Sequence, residues 1–388
     1  MKELSKITER FTESIIREMT RISDSLGGYN LSQGFPDFDS PKEIKEAAIA
    51  AILNNFNQYP VTFGEPELRE AISKKADWYN NITCNPETDI TVTCGATEAM
   101  IATLKAIINP GDEIIIFEPF YENYGPDVIL SGATPRYVSL RSPNWDYDPD
   151  ELKSTFNKKT KAIIINTPNN PTGKVFSKNE LQEISSLCIK WDVLAITDEI
   201  YEHILYDNSK HISIASLPGM NERTVTINSI SKTYSVTGWR VGWAIASSLI
   251  TSRIRKIHDF LTVGAPTPFQ HAAVKALNFP QTYYNNLHDR YFNAREILFE
   301  ALKSAGFKPF LPQGAYYIIA DYSDLKPYIL PENDFDFSIK LLHKTGIASV
   351  PGSSFYSSNK TTNQIRFAFC KKNGTLEIAK NNLLKILN

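Results

Sequence analysis

Cysteine is scarce in this chain. Four occur in 388 residues, Cys84, Cys94, Cys188 and Cys370, with no paired spacing. Such scatter fits a reducing compartment and argues against a zinc site or a disulfide framework. The six histidines are equally dispersed, so no metal is expected. An excess of one charge is missing too: 41 basic residues face 43 acidic ones, a formal −2. That balance argues against general binding to nucleic acid or to an anionic membrane surface. No apolar run approaches the ~18 residues of a membrane span. The first residues, Met1 to Lys6, lack the apolar core of a signal peptide. A cytoplasmic chain is the expectation. Repeats and low-complexity tracts are absent. What is left reads as a globular protein, long enough for one large domain and a smaller one.

The hydrophobic pattern gives the class. Helical spacing is read over residues 11–26, where Phe11, Ile15, Ile16, Met19 and Ile22 recur. Pro41 sits near the head of a helix with Ile44, Ala48 and Ile52 on one face. From residue 90 strands alternate with helices. Ile114-Ile115-Ile116 and Ile163-Ile164-Ile165 are apolar on both faces, as buried parallel strands require. This alternation predicts an α/β sheet covered by helices. After a long helical stretch, about 281–305, the order changes to a smaller α+β part.

Open α/β sheets bind ligands at the carboxyl ends of their strands. The unusual residues of this chain stand there. Gly95-Ala96-Thr97 joins a strand to a helix, where free N–H groups and the dipole suit a phosphate, although an N-cap would also use this pattern. Glu118-Pro119-Phe120-Tyr121 offers a ring. Asn166 to Gly173 makes a rigid turn of two prolines and a glycine. Asp198-Glu199-Ile200-Tyr201 ends another apolar strand. Ile365-Arg366-Phe367 sets one charge among apolar residues. The run Asn228 to Trp243 presents Lys232 between small hydroxyl residues, followed by Arg240. An amine on a fixed stem with room beside it is what a Schiff-base site needs. Ser229 and Arg240 suit a phosphate.

The Lys232 run resembles the lysine motif of fold-type I pyridoxal phosphate (PLP) enzymes. The likeness is to class I aminotransferases, nearest the kynurenine, glutamine, methionine and aromatic branch. It extends over nearly the whole chain, because the other motifs follow in the family's order. It implies an α/β fold with a mostly parallel central sheet in a large domain, 41–294. Residues 1–40 and 295–388 would form a small discontinuous α+β domain. It implies Lys232 as the catalytic residue, carrying PLP. The cofactor phosphate would lie on Gly95, Ala96, Thr97, Ser229 and Arg240. Tyr121 would stack on the ring, where many relatives carry Trp or Phe. Asn170 and Tyr201 would meet the phenolic oxygen, and Asp198 the ring nitrogen. Arg366, Asn170 and the Gly34 backbone would take the substrate α-carboxylate. Tyr59 would reach the phosphate of the other subunit, so a homodimer with shared sites is expected. The peptide bonds Glu118–Pro119 and Asn170–Pro171 are expected to be cis.

The function implied is transfer of an amino group from an L-amino acid to a 2-oxo acid by a ping-pong mechanism. Dicarboxylate-specific relatives use a second arginine after the lysine. Residues 260–280 hold none and offer Phe260, Leu261, Pro266, Pro268 and Phe269 instead. With Phe35 and Tyr121, these favour apolar, aromatic, methionine or glutamine-like donors. Aspartate aminotransferase is an alternative, as is a cysteine-conjugate or cystathionine β-lyase. A transcription regulator with an aminotransferase-like domain would need a DNA-binding segment before residue 30, and no basic helix-turn-helix stands there.

Overall fold

The computed structural model describes residues 2–325, 328–357 and 362–387. The chain enters through helix α1 (Ile15–Ser25), which starts at Ile15 and not near Phe11. Ser14 is the reason: its Oγ accepts the Arg17 backbone N–H at 3.3 Å and caps the helix. Strand β1 (Tyr29–Asn30) follows. Then come α2 (Lys42–Leu53) and α3 (Pro66–Asn80), each with a proline at its head. Alternation begins with β2 (Ile90–Thr93) and α4 (Ala96–Ile107). It continues through β3 (Glu113–Glu118), α5 (Tyr124–Leu130), β4 (Thr134–Ser139), α6 (Pro149–Thr155) and β5 (Thr160–Asn166). Helix α7 (Lys178–Trp191), β6 (Leu194–Asp198), β7 (Thr224–Ser229) and β8 (Gly242–Ile245) complete the large sheet.

That sheet has seven strands in the order β2-β8-β7-β6-β5-β3-β4. Strands β3 to β7 pair in parallel, and β8 runs antiparallel to both β2 and β7. Every residue of β2, β7 and β8 is buried, which explains their apolar or small composition. One core packs Ile163, Ile165 and Ala195 against Leu181, Ile184 and Leu187 of α7. Another packs Ile114, Ile164, Ile196 and Ile227 against Ala99, Leu104 and Ile254. The sheet is therefore covered by helices, and its strand ends are left as the open edge.

Helices α8 (Ser248–Thr262), α9 (Thr267–Leu277) and α10 (Gln281–Ser304) come next. They lead to β9 (Lys308–Pro309), β10 (Tyr317–Asp321) and α11 (Asp334–Thr345). Strands β11 (Ile347–Ala348), β12 (Val350–Pro351) and β13 (Gln364–Ala368) and helix α12 (Asn373–Leu383) close the chain. The second sheet is antiparallel, in the order β12-β13-β10-β9. Strand β1 pairs in parallel with β11, Tyr29 beside Ile347. The N-terminal segment is thus stitched to the C-terminal part. Both expected cis bonds, Glu118–Pro119 and Asn170–Pro171, are cis, and so are Ser142–Pro143 and Thr167–Pro168.

Candidate active site

The carboxyl ends of β2, β3, β5, β6 and β7 deliver Gly95, Glu118, Asn166, Asp198 and Ser229 to one edge. A cavity of about 440 Å³ opens beside them. Its wall includes Gly34, Ala96, Thr97, Tyr121, Asn170, Asp198, Tyr201, Ser229, Lys232, Arg240 and Arg366. A larger cavity, about 590 Å³, lies behind the Thr172–Lys174 turn and holds none of these residues.

Lys232 stands on the turn after β7. Its Nζ donates to the Gly34 carbonyl at 3.2 Å. It lies 5.8 Å from the ring centres of Tyr201 and Tyr316. Burial pushes its pKa down to about 8, helped by the Arg240 and Arg366 charges and opposed by Cys370 and Asp198. The free amine is therefore the main form from about pH 8 upward, well below the ordinary lysine range. No carboxylate pairs with it among the described residues.

Arg240 lies at the N-terminus of α4. Its Nη1 donates to the Thr237 carbonyl at 3.0 Å and Nη2 to the Cys94 carbonyl at 3.5 Å. It has no acidic partner among the described residues. Gly95 does not itself line the cavity. It has φ +82°, and a Cβ on it would sit 2.3 Å from Arg240 Nη2. A Cβ on Gly242 would sit 2.5 Å from the Ala96 backbone nitrogen. These two glycines let the strand-to-helix turn, Arg240 and β8 converge. The result is a guanidinium over free helix N–H groups, which is an anion cradle. The Ser229 Oγ accepts the Ser231 N–H at 3.2 Å. The Ser231 Oγ is buried without a partner among the described residues.

Asp198 is the opposite case. It accepts from the Tyr124 hydroxyl at 2.7 Å and from the Ile200 N–H at 3.3 Å. No cation pairs with it among the described residues. Burial pushes its pKa up to about 6, against both hydrogen bonds and the Lys232 charge. Such a carboxylate is suited to a cationic N–H donor.

Arg366 is 1% exposed on β13. Its Nη1 donates to Asn170 Oδ1 at 2.8 Å and Nη2 to the Ser32 carbonyl at 2.6 Å. Its Nε is buried and has no partner among the described residues. The guanidinium lies 4.2 Å from the Tyr317 ring centre and 4.8 Å from that of Phe355. The Asn170 N–H donates to Asn166 Oδ1 at 2.6 Å, and Asn166 Nδ2 to the Asp198 carbonyl at 2.9 Å. The turn thus ties the arginine to the strand that ends in Asp198. The Tyr201 and Tyr317 hydroxyls lie 3.0 Å apart, and Tyr316 donates to the Gly34 carbonyl at 2.9 Å. Tyr121 is half-buried and packs edge-on to Tyr124 at 5.7 Å.

Tyr59 is not brought into this cavity. It is 85% exposed. Phe260 and Leu261, expected to face the side chain of a substrate, are also outside it and exposed. Phe269 stacks on Trp239 at 4.7 Å instead. Of the apolar residues expected to meet a side chain, only Phe35 and Tyr121 line the cavity of this chain. Tyr124, Asn166, Tyr317 and Arg17 line it and were not anticipated. Asn166 had a visible signal, since it ends a buried strand at the head of the proline turn. The other three carried none.

Residues 27–383 match the family model described as aminotransferase class I and II. The chain belongs to that family. It is an aminotransferase, and enzymes of this family are in general PLP-dependent. The chain is 38% identical to human kynurenine–oxoglutarate transaminase 3, over 97% of its own length and 88% of the relative's. It superposes on a methionine aminotransferase from Escherichia coli with TM-score 0.93 and 34% identity, covering 99% of both chains. N-succinyldiaminopimelate aminotransferase from Mycobacterium tuberculosis gives TM-score 0.94 at 34% identity, over 99% of this chain and 100% of that one.

Proposed function

We propose that this aminotransferase holds PLP on Lys232 and moves the amino group of an apolar, aromatic, methionine or glutamine-like L-amino acid to a 2-oxo acid. The charge pattern of the cavity carries this reading. Among the described residues Lys232 and Arg240 pair with no carboxylate, and the buried Asp198 pairs with no cation. A phosphate, an aldehyde and a pyridinium on one flat ring complement that set. Arg240, Ser229, Ala96, Thr97 and the Gly95 turn would hold the phosphate. Tyr121 would cover the ring, Tyr201 and the Asn170 amide would meet its phenolic oxygen, and Asp198 its nitrogen. When bound, PLP supplies a carbonyl that condenses with amines and a ring that accepts electrons from the Cα–H bond.

The chain's own residues do the rest. Arg366 fixes the α-carboxylate, with the Gly34 backbone beside it. The free Lys232 amine would take the proton from substrate Cα as a general base and give it back as a general acid. Its lowered pKa favours the base form. Donor choice rests on Phe35, Tyr121, Ile16 and Met100 in the cavity wall. The names of the kynurenine and methionine relatives agree with it. A panel of amino acids against several 2-oxo acids tests this. Methionine, phenylalanine or kynurenine should exceed aspartate in kcat/KM. Aspartate ahead by about tenfold, roughly 1.4 kcal/mol, contradicts the donor class. Pyruvate and ammonia formed without a 2-oxo acid would favour the lyase.

A homodimer with shared sites is part of the proposal. Leu53, Phe56, Tyr59, Val61, Phe260 and Val263 are exposed apolar residues. Thr267 Oγ1 donates to the Gln58 carbonyl at 2.7 Å, so the two segments that carry them adjoin. A second copy on this face would cover the patch and bring Tyr59 and Phe260 to a neighbouring cavity. Full activity in a monomer at high dilution would contradict it. The division into 41–294 and a part made of 1–40 and 295–388 is proposed with it, α10 crossing the boundary. The pairing of β1 with β11 supports the discontinuous part. A cytoplasmic setting is proposed too, and the four free cysteines fit it.

A further inference from the structure

The cavity contains an arginine that the reaction above does not use. Arg17 lies in the first turn of α1 and lines the same cavity as Arg366. Its backbone N–H is capped by Ser14. Its guanidinium has no hydrogen bond and no ion pair among the described residues. Of the acids nearby, Glu13 pairs with Arg21 at 2.8 Å, and Glu122 lines the cavity and accepts the Ser14 hydroxyl. Asp127 also lines the cavity, and burial pushes its pKa up to about 7. Lys232, Arg240, Arg366 and Asp198 already have roles.

Its position relative to Arg366 is the second observation. Ile16, next to Arg17, packs with Val350 and Phe355. The Phe355 ring lies 4.8 Å from the Arg366 guanidinium. Both arginines line the one cavity, with Ile16 in its wall and Phe355 packed behind Ile16 and Arg366. Thr20 Oγ1 donates to Gln33 Oε1 at 3.1 Å, which ties α1 to the loop carrying Gly34.

We propose that Arg17 binds the distal carboxylate of a dicarboxylic substrate, an amino acid or 2-oxo acid of glutamate length, while Arg366 holds the α-carboxylate. This rests on the aminotransferase reading above and names the class of its second substrate. An apolar side chain would cover Ile16 and Phe35 and leave Arg17 in water. A dicarboxylate would cross the same surface and end on the guanidinium. One pocket then serves both half-reactions, and no second arginine is needed after the lysine. Arg17 is exposed, so solvent moderates its effect and the preference is graded.

The test compares two acceptors in the same enzyme, 2-oxoglutarate and phenylpyruvate, with methionine as donor. The ratio of their kcat/KM values is measured for the unaltered enzyme, Arg17→Met and Arg17→Lys. In Arg17→Met the ratio should fall about three- to fivefold, through KM for 2-oxoglutarate. Arg17→Lys should restore part of it, and added salt should erode it in the unaltered enzyme. A ratio unchanged within about twofold would overturn the proposal. So would equal losses on both acceptors, which would mark a structural role, or an unaltered enzyme that rejects 2-oxoglutarate. Failure of the unaltered enzyme with both acceptors and every donor would instead overturn the aminotransferase reading.

Discussion

Replacing Arg366 by lysine separates charge from geometry at the carboxylate site. Arg366 spends one N–H on Asn170 and one on the Ser32 carbonyl. Its remaining donors, including an Nε with no partner among the described residues, are available to a carboxylate. A hydrogen bond to a charged group contributes about 1.5–3 kcal/mol. Two such bonds give about 3–6 kcal/mol, or roughly 10²–10⁴ in kcat/KM at about 1.4 kcal/mol per tenfold. Arg366 is buried, so solvent screens little of this. Lysine keeps the charge and loses the planar fork. Roughly half the effect should go, a fall of about 10–10²-fold. Arg366→Met should lose the full range. Rapid mixing of the PLP-loaded enzyme with methionine reads the first half-reaction alone. The cofactor absorbance before mixing shows that the site is intact. A fall of less than about threefold in Arg366→Lys, with full cofactor occupancy, would refute the carboxylate role.

The lowered pKa of Lys232 gives a pH prediction. Its charged form is disfavoured, so the free amine is present from about pH 8 upward. Attachment of PLP to the apoprotein should accelerate as pH rises to that value and then level off. A rate still climbing toward the ordinary lysine pKa would contradict the burial argument. Gly95→Ala forces a side chain into a φ of +82° and against Arg240. Strain of about 1–3 kcal/mol should appear as a PLP affinity lower by tenfold or so in absorbance titration. Lys75→Met should cost about 3–5 kcal/mol in urea unfolding, because it leaves a buried carboxylate, Glu202, without its cation. A loss below about 1 kcal/mol would show that Asn80 and Asn228 alone satisfy Glu202.

Local motifs were legible because strand ends determine where they go. Asp198, Asn170, Lys232 and Arg240 each follow a strand or lie in a rigid turn, so sequence order became spatial order. Arg366 was legible as one charge inside an apolar strand. What escaped depended on packing between distant segments. Arg17 reaches the cavity only because α1 lies beside β12 and Phe355. Tyr124 reads as an ordinary helix residue until its hydroxyl is found on Asp198. Glu199, Glu202 and His211 offer ligand atoms within 4.8 Å of one another. Their spacing would suit a metal, yet Lys75, Asn80, Asn228 and Ser213 already occupy the oxygens. The network braces the turn that carries Asp198 and Tyr201. The substrate wall read into Phe260 and Leu261 is not part of this chain's cavity, because sequence spacing does not say which surface a residue faces.

The central claim is that Lys232 carries the cofactor. Borohydride reduction of the PLP-loaded protein fixes the cofactor to whichever amine holds it. Proteolysis and mass mapping then locate the label. A single labelled peptide containing Lys232 is expected, with loss of that label in Lys232→Ala. Label on another lysine of the intact protein, such as the buried Lys75 or Lys371, would contradict it.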